Sequence, residues 1–139
     1  MKRTVVLNWI KFSKWADVLD SEDGKYEFPC VYALTEKDGT PLYIGKAATK
    51  RRVKGGTTWS GGLRQRYYHD WTVLDACMKG TGRHIFIAKV DQRKASAIEK
   101  QLIYENKPEY NENGKTTAPK TSWVLIHKGT RPKMKKGLA

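Results

Sequence analysis

The stretch CVYALTEKDGTPLYIGK, residues 30–46, decides the fold of this chain. It contains two runs of β-branched and aromatic residues, and the dipeptide Asp38-Gly39 between them is a strong signal for a tight hairpin turn. If that dipeptide is the loop, the strands are antiparallel and Tyr32 faces Gly45. Opposed positions share one face of a sheet, so Tyr32 and Tyr43 project together, and Gly45 leaves room beside them for a ligand. A slip of one residue in the register would separate the two tyrosines.

The remaining sequence alternates between strand and helix patterns over a length that suits a single domain, residues 1–139. This order predicts an α/β (α+β) fold, with a small mixed or antiparallel sheet of three to four strands sandwiched by helices. The predicted elements are a helix over 8–20, strands over 30–35 and 41–45, a long basic loop over 46–62, a helix over 63–78, a strand over 83–90, a helix over 94–106, a strand over 122–127 and a mobile tail from Lys128.

The charge of the chain is strongly basic and unevenly distributed. There are 27 Lys and Arg residues against 14 Asp and Glu, which gives a net charge of +13. Two segments that lack any acidic residue, 46–69 and the tail over 115–139, carry the excess. Concentrated positive charge attracts a polyanion, so nucleic acid is the first candidate partner and an acidic membrane the second. Solvated loops that only keep the protein soluble would give the same pattern.

Composition also limits the cellular setting. No apolar run is long enough to span a membrane, and the opening residues, MKRTVVLNWIKF, lack the pattern of a signal peptide. Cys30 and Cys77 lie in apolar contexts without a metal-binding spacing, which is typical of reduced thiols packed in a protein interior. These features predict an intracellular, cytoplasmic protein with no membrane segment.

One carboxylate in the predicted helix over 94–106 falls where a charge is costly. On a helical wheel, Glu99 lies inside the apolar arc formed by Ala95, Ile98 and Leu102. A carboxylate in that position needs a cation, a metal ion or a proton. A structural ion pair with an arginine is one solution, and coordination of a hard divalent cation through oxygen is the other.

The tripeptide Cys30-Val31-Tyr32, followed eleven residues after its tyrosine by Tyr43-Ile44-Gly45, resembles the paired tripeptides of the GIY-YIG nuclease family. Cys30 stands where that family has glycine. The resemblance covers about residues 29–112 and extends to an E…PxYN pattern, which selects Glu99 and Asn111. It implies a metal-dependent DNA endonuclease that leaves 5′-phosphate and 3′-hydroxyl ends. From its position alone, Asn111 could equally cap the turn after Pro108.

The helix predicted after the basic loop contains two arginines, one of which would stabilise negative charge in the transition state. Arg64 and Arg66 lie on the two edges of an apolar arc, where a cation reaches a cleft while its stem packs on the core. Similar nucleases carry L-x-x-R here, which selects Arg66 and, with it, His69. The register of Arg64 with Tyr68 also fits. A helix salt bridge from Arg66 to Asp70 is the structural alternative.

The hypothesis of a metal-dependent endonuclease gives each remaining residue a role. Glu99 would hold one Mg²⁺ or Mn²⁺ beside the scissile phosphate, and Tyr32 would activate or orient the attacking water. Tyr43, His69 and Lys46 would adjust the proton affinity of Tyr32, because a free tyrosine with a pKa of about 10 is a poor base at neutral pH. The residues predicted to bind DNA are Lys46, Lys50, Arg51, Arg52, Lys54 and Arg64.

Three questions stay open at the level of sequence. One domain has one active site, so cleavage of both strands of a duplex needs a homodimer or two successive nicks. A basic nucleic-acid-binding module on the same scaffold, with vestigial site residues, would have the same charge pattern. An RNA nuclease is the third hypothesis.

Overall fold

The computed structural model describes residues 3–13, 28–47, 49–53, 56–60, 83–119 and 122–135, with the backbone only for 49–53 and 56–60. Within these ranges the chain forms seven β-strands and one α-helix. The elements are β1 (Thr4–Phe12), β2 (Cys30–Thr35), β3 (Pro41–Ala47), β4 (Thr49–Val53), β5 (Gly56–Ser60), β6 (His84–Lys89), α1 (Gln92–Asn106) and β7 (Val124–Gly129). The helix predicted over 63–78 lies outside the described residues.

Five of the strands form one mixed sheet in the order β3-β2-β6-β1-β7, and β4 pairs with β5 in a separate antiparallel hairpin. Neighbours in the large sheet are antiparallel except β1 and β7, which are parallel. The mixed α+β class predicted from the sequence is confirmed, with five strands in the sheet rather than three or four. No helix of the described residues is long and apolar enough to cross a membrane.

The first element is a strand where a helix was predicted over 8–20. Residues Thr4–Phe12 form β1, in which Leu7 and Trp9 are buried while Val6, Asn8 and Ile10 are exposed. Alternate burial is the period of a strand covered on one face. The extended backbone is favoured over a helix because β1 pairs with β6 on one side and with β7 on the other. These pairings give its peptide groups hydrogen-bond partners. Residues 14–20 of the predicted helix lie outside the described ranges.

The hairpin of β2 and β3 has the register predicted from the sequence. Tyr32 pairs with Gly45, and Leu34 pairs with Tyr43. Directly opposed residues share a face of the sheet, so the two tyrosines project to the same side. The geometric premise of the predicted site, two phenols on one face of a hairpin, is therefore confirmed.

The loop of this hairpin differs from the predicted two-residue turn at Asp38-Gly39. Glu36 and Thr40 close it, with the N–H of Glu36 donating to the carbonyl of Thr40 at 2.9 Å. Gly39 has a φ of 95°, which glycine adopts without strain. Three connecting residues alone would invert the parity of the hairpin. An extra residue on β3, Leu42, restores it at a register shift typical of a β-bulge.

The segment over 46–62, predicted as a long basic loop, is largely strand. β3 continues to Ala47, and β4 and β5 pair with each other, with Lys50 opposite Trp59. The Thr, Val and Trp residues of this segment favour an extended backbone. Strand pairing also satisfies peptide groups that a loop would leave to water.

Helix α1 covers one face of the sheet, and the tyrosines lie on the other. The helix begins at Gln92 rather than at residue 94, and Asp91 caps it by accepting a hydrogen bond from a backbone N–H of the first turn. Its apolar side chains join one buried cluster with β1, β2, β3 and β6. A second cluster, on the opposite face, contains Tyr32, with Tyr43 packed against it. A site that combines the tyrosines with α1 must therefore lie at an edge of the sheet.

The C-terminal segment, predicted to be mobile from Lys128, is packed as far as residue 135. The N–H of Lys133 donates to the carbonyl of Gly39 at 2.8 Å, at the tip of the hairpin. The N–H of Lys135 donates to the side-chain oxygen of Asn106 at 2.8 Å, at the end of α1. The prediction is wrong for this segment because its backbone donors find acceptors on two other elements.

A half-buried histidine gives stability a defined dependence on pH. His127 Nδ1 accepts a hydrogen bond from Trp9 Nε1–H at 2.9 Å, and the two rings stack with centroids 6.0 Å apart. An accepting Nδ1 carries no proton. Burial lowers the pKa of His127, and the positive charge of Arg131 lowers it further. The folded protein therefore favours the neutral ring.

We expect the stabilising contribution of His127 to be complete above about pH 6.5, the pKa of an unfolded histidine, and to be lost as the pH falls through its lower folded value. Urea unfolding of the parent and of His127→Gln, at pH 7.5 and pH 5, checks this. The difference in unfolding free energy between the two proteins should shrink at the lower pH. An equal difference at both values would show that the ring does not titrate in this way.

Candidate active site

A cavity of about 320 Å³ lies at the outer edge of β3. Because β3 is the outermost strand, side chains from both faces of the sheet can meet there. β3 contributes Tyr43 from the tyrosine face and Ile44 from the opposite face, and α1 contributes Glu99. The chain after α1 completes the wall. The lining residues are Tyr43, Ile44, Glu99, Ile103, Tyr110, Asn111, Glu112 and Asn113.

The two tyrosines occupy different layers. Their ring centroids are 6.2 Å apart and their planes are tilted by 32°. Tyr32 is 0% exposed, whereas Tyr43 is half-buried and lines the cavity. The expectation that Gly45 leaves room for a ligand is wrong, because the ring of Tyr32 itself fills that space. A Cβ at Gly45 would lie 2.5 Å from both Cζ and Oη of Tyr32.

Gly45→Ala is therefore expected to destabilise the protein by about 1–3 kcal/mol, the usual cost of overpacking a core. The added methyl group has to displace the ring of Tyr32, which is large and fully buried. Urea denaturation measures the loss. In a Tyr32→Leu background the same substitution should cost much less, because the colliding atoms are absent. Equal costs in the two backgrounds would show that the tyrosine ring is not the cause.

Glu99 reaches the cavity from the boundary of the buried face of α1. It is half-buried rather than deep in the apolar arc, where the helical wheel placed it. Ile98 and Ile103, on either side of it along the helix, are buried and hold this part of α1 against the sheet. Of the predicted site residues, Tyr43, Glu99 and Asn111 line this cavity, whereas Tyr32 is not among its lining residues.

Asn111 fastens the chain after α1 to the edge of β3. Its side-chain oxygen accepts from the N–H of Ile44 at 2.9 Å, and its amide nitrogen donates to the carbonyl of Ile44 at 2.9 Å. The side chain thus pairs with β3 as the peptide group of a further strand would. The N–H of Tyr110 donates to the carbonyl of Leu42 at 2.8 Å, which extends the attachment by one more bond. The backbone N–H of Asn111 donates to the carbonyl of Pro108 at 3.2 Å, but its side chain, which the structural alternative assigned to a cap of that turn, is bonded to Ile44.

A second carboxylate in the cavity was not predicted from the sequence. Glu112 lines the same cavity as Glu99 but comes from the segment after α1. An exposed glutamate in a loop has no local pattern that distinguishes it. Its position directly after Asn111 is the one available signal, because Asn111 fixes this segment against β3.

The lining side chains fit a hard divalent cation that keeps most of its water. Mg²⁺ is commonly held by one or two carboxylates, with substrate phosphate and water as the other ligands. Glu99 and Glu112 supply two carboxylates. The oxygen of Asn111 is already an acceptor for Ile44, so it acts through the position of β3. Among the described residues, no group of three or more His, Cys, Asp and Glu side chains converges, so the donor set stays at these two.

No protein-family model matches this chain, and no curated protein or solved structure matches it significantly.

The structure locates only part of the predicted cationic surface. Lys46 is half-buried on β3, and strand alternation turns it to the face opposite Tyr43. Its predicted effect on the proton affinity of Tyr32 would therefore act across the strand. The structure does not describe the side chain of His69 or those of the other predicted cationic residues. The cationic residues in question are Lys50, Arg51, Arg52, Lys54, Arg64 and Arg66.

Proposed function

We propose that this chain is a metal-dependent endonuclease that hydrolyses DNA phosphodiester bonds at the cavity beside β3. The observation that carries the proposal is the meeting of Tyr43, Glu99 and Glu112 in one cavity. The net charge of +13 favours a polyanionic substrate. The register of the hairpin supports the resemblance to GIY-YIG nucleases, from which we infer 5′-phosphate and 3′-hydroxyl products.

Glu99 and Glu112 would hold Mg²⁺ or Mn²⁺ in this proposal. The ion would supply neutralisation of phosphate charge and a more acidic bound water. Metal binding would also prevent the two carboxylates from acting as the general base. While they hold a cation they are not free to act as proton acceptors, so another group must take the proton of the attacking water.

Tyr43 is the phenol best placed for that proton, because it lines the cavity whereas Tyr32 is fully buried. Tyr32 would then be a positioning residue, packed behind Tyr43 with its ring over Gly45. A neutral phenol is a weak base, so nearby cations have to lower its pKa. Arg66 and His69 keep the roles proposed for them, stabilisation of transition-state charge and adjustment of the proton affinity of the phenol.

Burial of Tyr32 and the structural use of the Asn111 amide favour one alternative. A domain that retains the hairpin for folding, and binds nucleic acid without cutting it, would keep both features. The basic charge of the chain serves this function equally well.

Incubation of the protein with supercoiled plasmid in Mg²⁺, Mn²⁺ or EDTA separates these functions. The endonuclease predicts relaxed and linear products only with the metal, and mapping of the ends should give 5′-phosphates. Salt-sensitive DNA binding without cutting in either metal would support the alternative, a domain that binds nucleic acid without cutting it. Cleavage of RNA in preference to DNA, measured side by side, would support the hypothesis of an RNA nuclease.

A further inference from the structure

A larger cavity, of about 680 Å³, lies between α1 and the segment over 113–119. We call it the α1 groove. One wall is the outer face of α1, and the other is the segment that follows the candidate site. At the inner end this wall closes on the helix. A Cβ at Gly114 would lie 3.2 Å from Cγ2 of Ile103, so there is no space for a ligand between these residues.

The helical wall of the α1 groove carries two cations on one face. Arg93 and Lys100 are separated by seven residues, two turns of helix, and both are exposed. At a rise of about 1.5 Å per residue they stand about 10 Å apart along the groove. Ala97, one turn after Arg93, lies between them and leaves an apolar floor.

The wall opposite α1 offers a hydroxyl group and apolar surface, which together with the cations of α1 suit a nucleic-acid strand. Thr117 offers a hydroxyl, and Ala118 and Pro119 offer apolar surface opposite the helix. A nucleic-acid strand alternates charged phosphates with flat, partly apolar sugars and bases, so a groove that alternates cations with apolar surface suits it. Arg93 can bind phosphate through its planar fork, and Lys100 can act as a point charge.

The α1 groove is continuous with the candidate active site. Glu99, Ile103 and Asn113 line both cavities. A strand whose phosphate lies beside Glu99 and Tyr43 can therefore continue along α1 toward Lys100 and then Arg93. Glu99 sits at the junction, Glu112 lines the candidate site alone, and the cations follow along the groove. This is the order needed for a scissile phosphate beside the carboxylates and a neutralised flanking backbone.

We propose that the α1 groove binds the DNA strand next to the scissile phosphate, with Arg93 and Lys100 on backbone phosphates and a sugar or base against Ala97 and Pro119. This inference rests on the proposed function for the direction of the strand, but binding in the groove does not require that the bond be cut.

The test measures binding rather than cleavage. A labelled DNA duplex of about 20 base pairs is titrated with the full-length Glu99→Gln protein in EDTA, over a range of KCl concentrations. Adding Arg93→Gln and Lys100→Gln should weaken binding by about 10-fold or more at moderate salt. It should also reduce the slope of log K against log salt by nearly 2, since each phosphate contact contributes about 0.9.

A matched control removes the same charge elsewhere. Lys11→Gln with Lys37→Gln changes two exposed lysines that lie outside both basic segments and do not line the groove. An equal loss of affinity in the control would overturn the proposal, because net charge alone would then explain the effect. Unchanged binding in the Arg93 and Lys100 variant would also overturn it.

A photocrosslinker on a cysteine introduced at Ser96, inside the groove, gives an independent readout without loss of charge. It should attach to the DNA, whereas the same group at Lys37, which lies outside the groove and outside both basic segments, should not. A crosslink of equal yield at both positions would also overturn the proposal. If the parent cuts plasmid while the groove variants bind DNA normally, the proposed binding in the α1 groove is wrong and the proposed nuclease activity is retained. If the groove variants lose affinity for DNA but the parent never cuts plasmid, the proposed binding in the α1 groove is retained and the proposed nuclease activity is wrong.

Discussion

Plasmid nicking is expected to fall on the order of 10²–10³-fold when Glu99 is replaced by glutamine. Glutamine keeps the size and the half-buried position of the side chain but removes the negative charge that would hold the cation. The fold should survive, because the neighbouring contacts of α1 are made by Ile98 and Ile103. Initial rates of relaxation at a fixed Mg²⁺ concentration measure the loss.

Glu109→Gln is the matched control for this substitution. Glu109 is exposed, close in sequence to the cavity segment and absent from the cavity lining. Its removal should leave the nicking rate unchanged. Glu112→Gln should give a smaller loss, about 10-fold, that partly recovers at higher Mg²⁺ concentration. If Glu99→Gln cuts as fast as the parent, the metal-dependent mechanism at this cavity is wrong.

Asn111→Ala is expected to lower the free energy of unfolding by about 2–4 kcal/mol. The substitution leaves both the N–H and the carbonyl of Ile44 without their side-chain partners, and each unsatisfied buried group costs about 1–3 kcal/mol, less where water enters from the cavity. Nicking should fall as well. Ile44 lies between Tyr43 and Gly45, so a loosened β3 moves the phenol that faces the substrate. Urea denaturation and the plasmid assay, run on the same preparation, measure the two effects.

Asn113→Ala provides the comparison for this result. Asn113 also lines the cavity but is exposed. It should cost less than about 0.5 kcal/mol, as surface substitutions usually do. An Asn111→Ala protein as stable as the parent would show that the paired amide does not hold the edge of the sheet.

The predicted register of the hairpin is correct because two irregularities that the sequence did not predict cancel each other. The sequence correctly predicted Tyr32 opposite Gly45, although the loop is one residue longer than the expected turn. The bulge at Leu42 adds a second extra residue, and the two irregularities cancel. Local propensity does not reveal such a bulge, because Leu42 fits a regular strand equally well.

The N-terminal strand was not predictable from local pattern. Trp9, Ile10 and Phe12 occur at spacings that suit a short helix as well as a strand. The deciding partners, β6 and β7, follow more than seventy residues later in the chain. Long-range pairing of this kind overrides local propensity, and it also turns the basic segment of β4 and β5 into a hairpin.

The candidate site was predictable in its residue types but not in its arrangement. Glu99 was identified because a carboxylate near an apolar arc is unusual. The function of the Asn111 amide depends on a strand edge that no local pattern describes. The same holds for Gln101, a fully buried amide on α1 that exchanges two hydrogen bonds of 2.8 Å with the backbone of Trp123. Polar side chains that replace a missing strand become visible only once the sheet is known.

The parallel pairing of β1 with β7 has a consequence for biosynthesis. More than a hundred residues separate Phe12 from Val124, so one side of the first strand stays without its neighbour until nearly all of the intervening polypeptide has left the ribosome. An open strand side is a template for unwanted pairing with other nascent chains. The large sheet therefore cannot be completed before residues 124–129 have been made, and stalling before residue 124 should expose an aggregation-prone intermediate to chaperones and proteases.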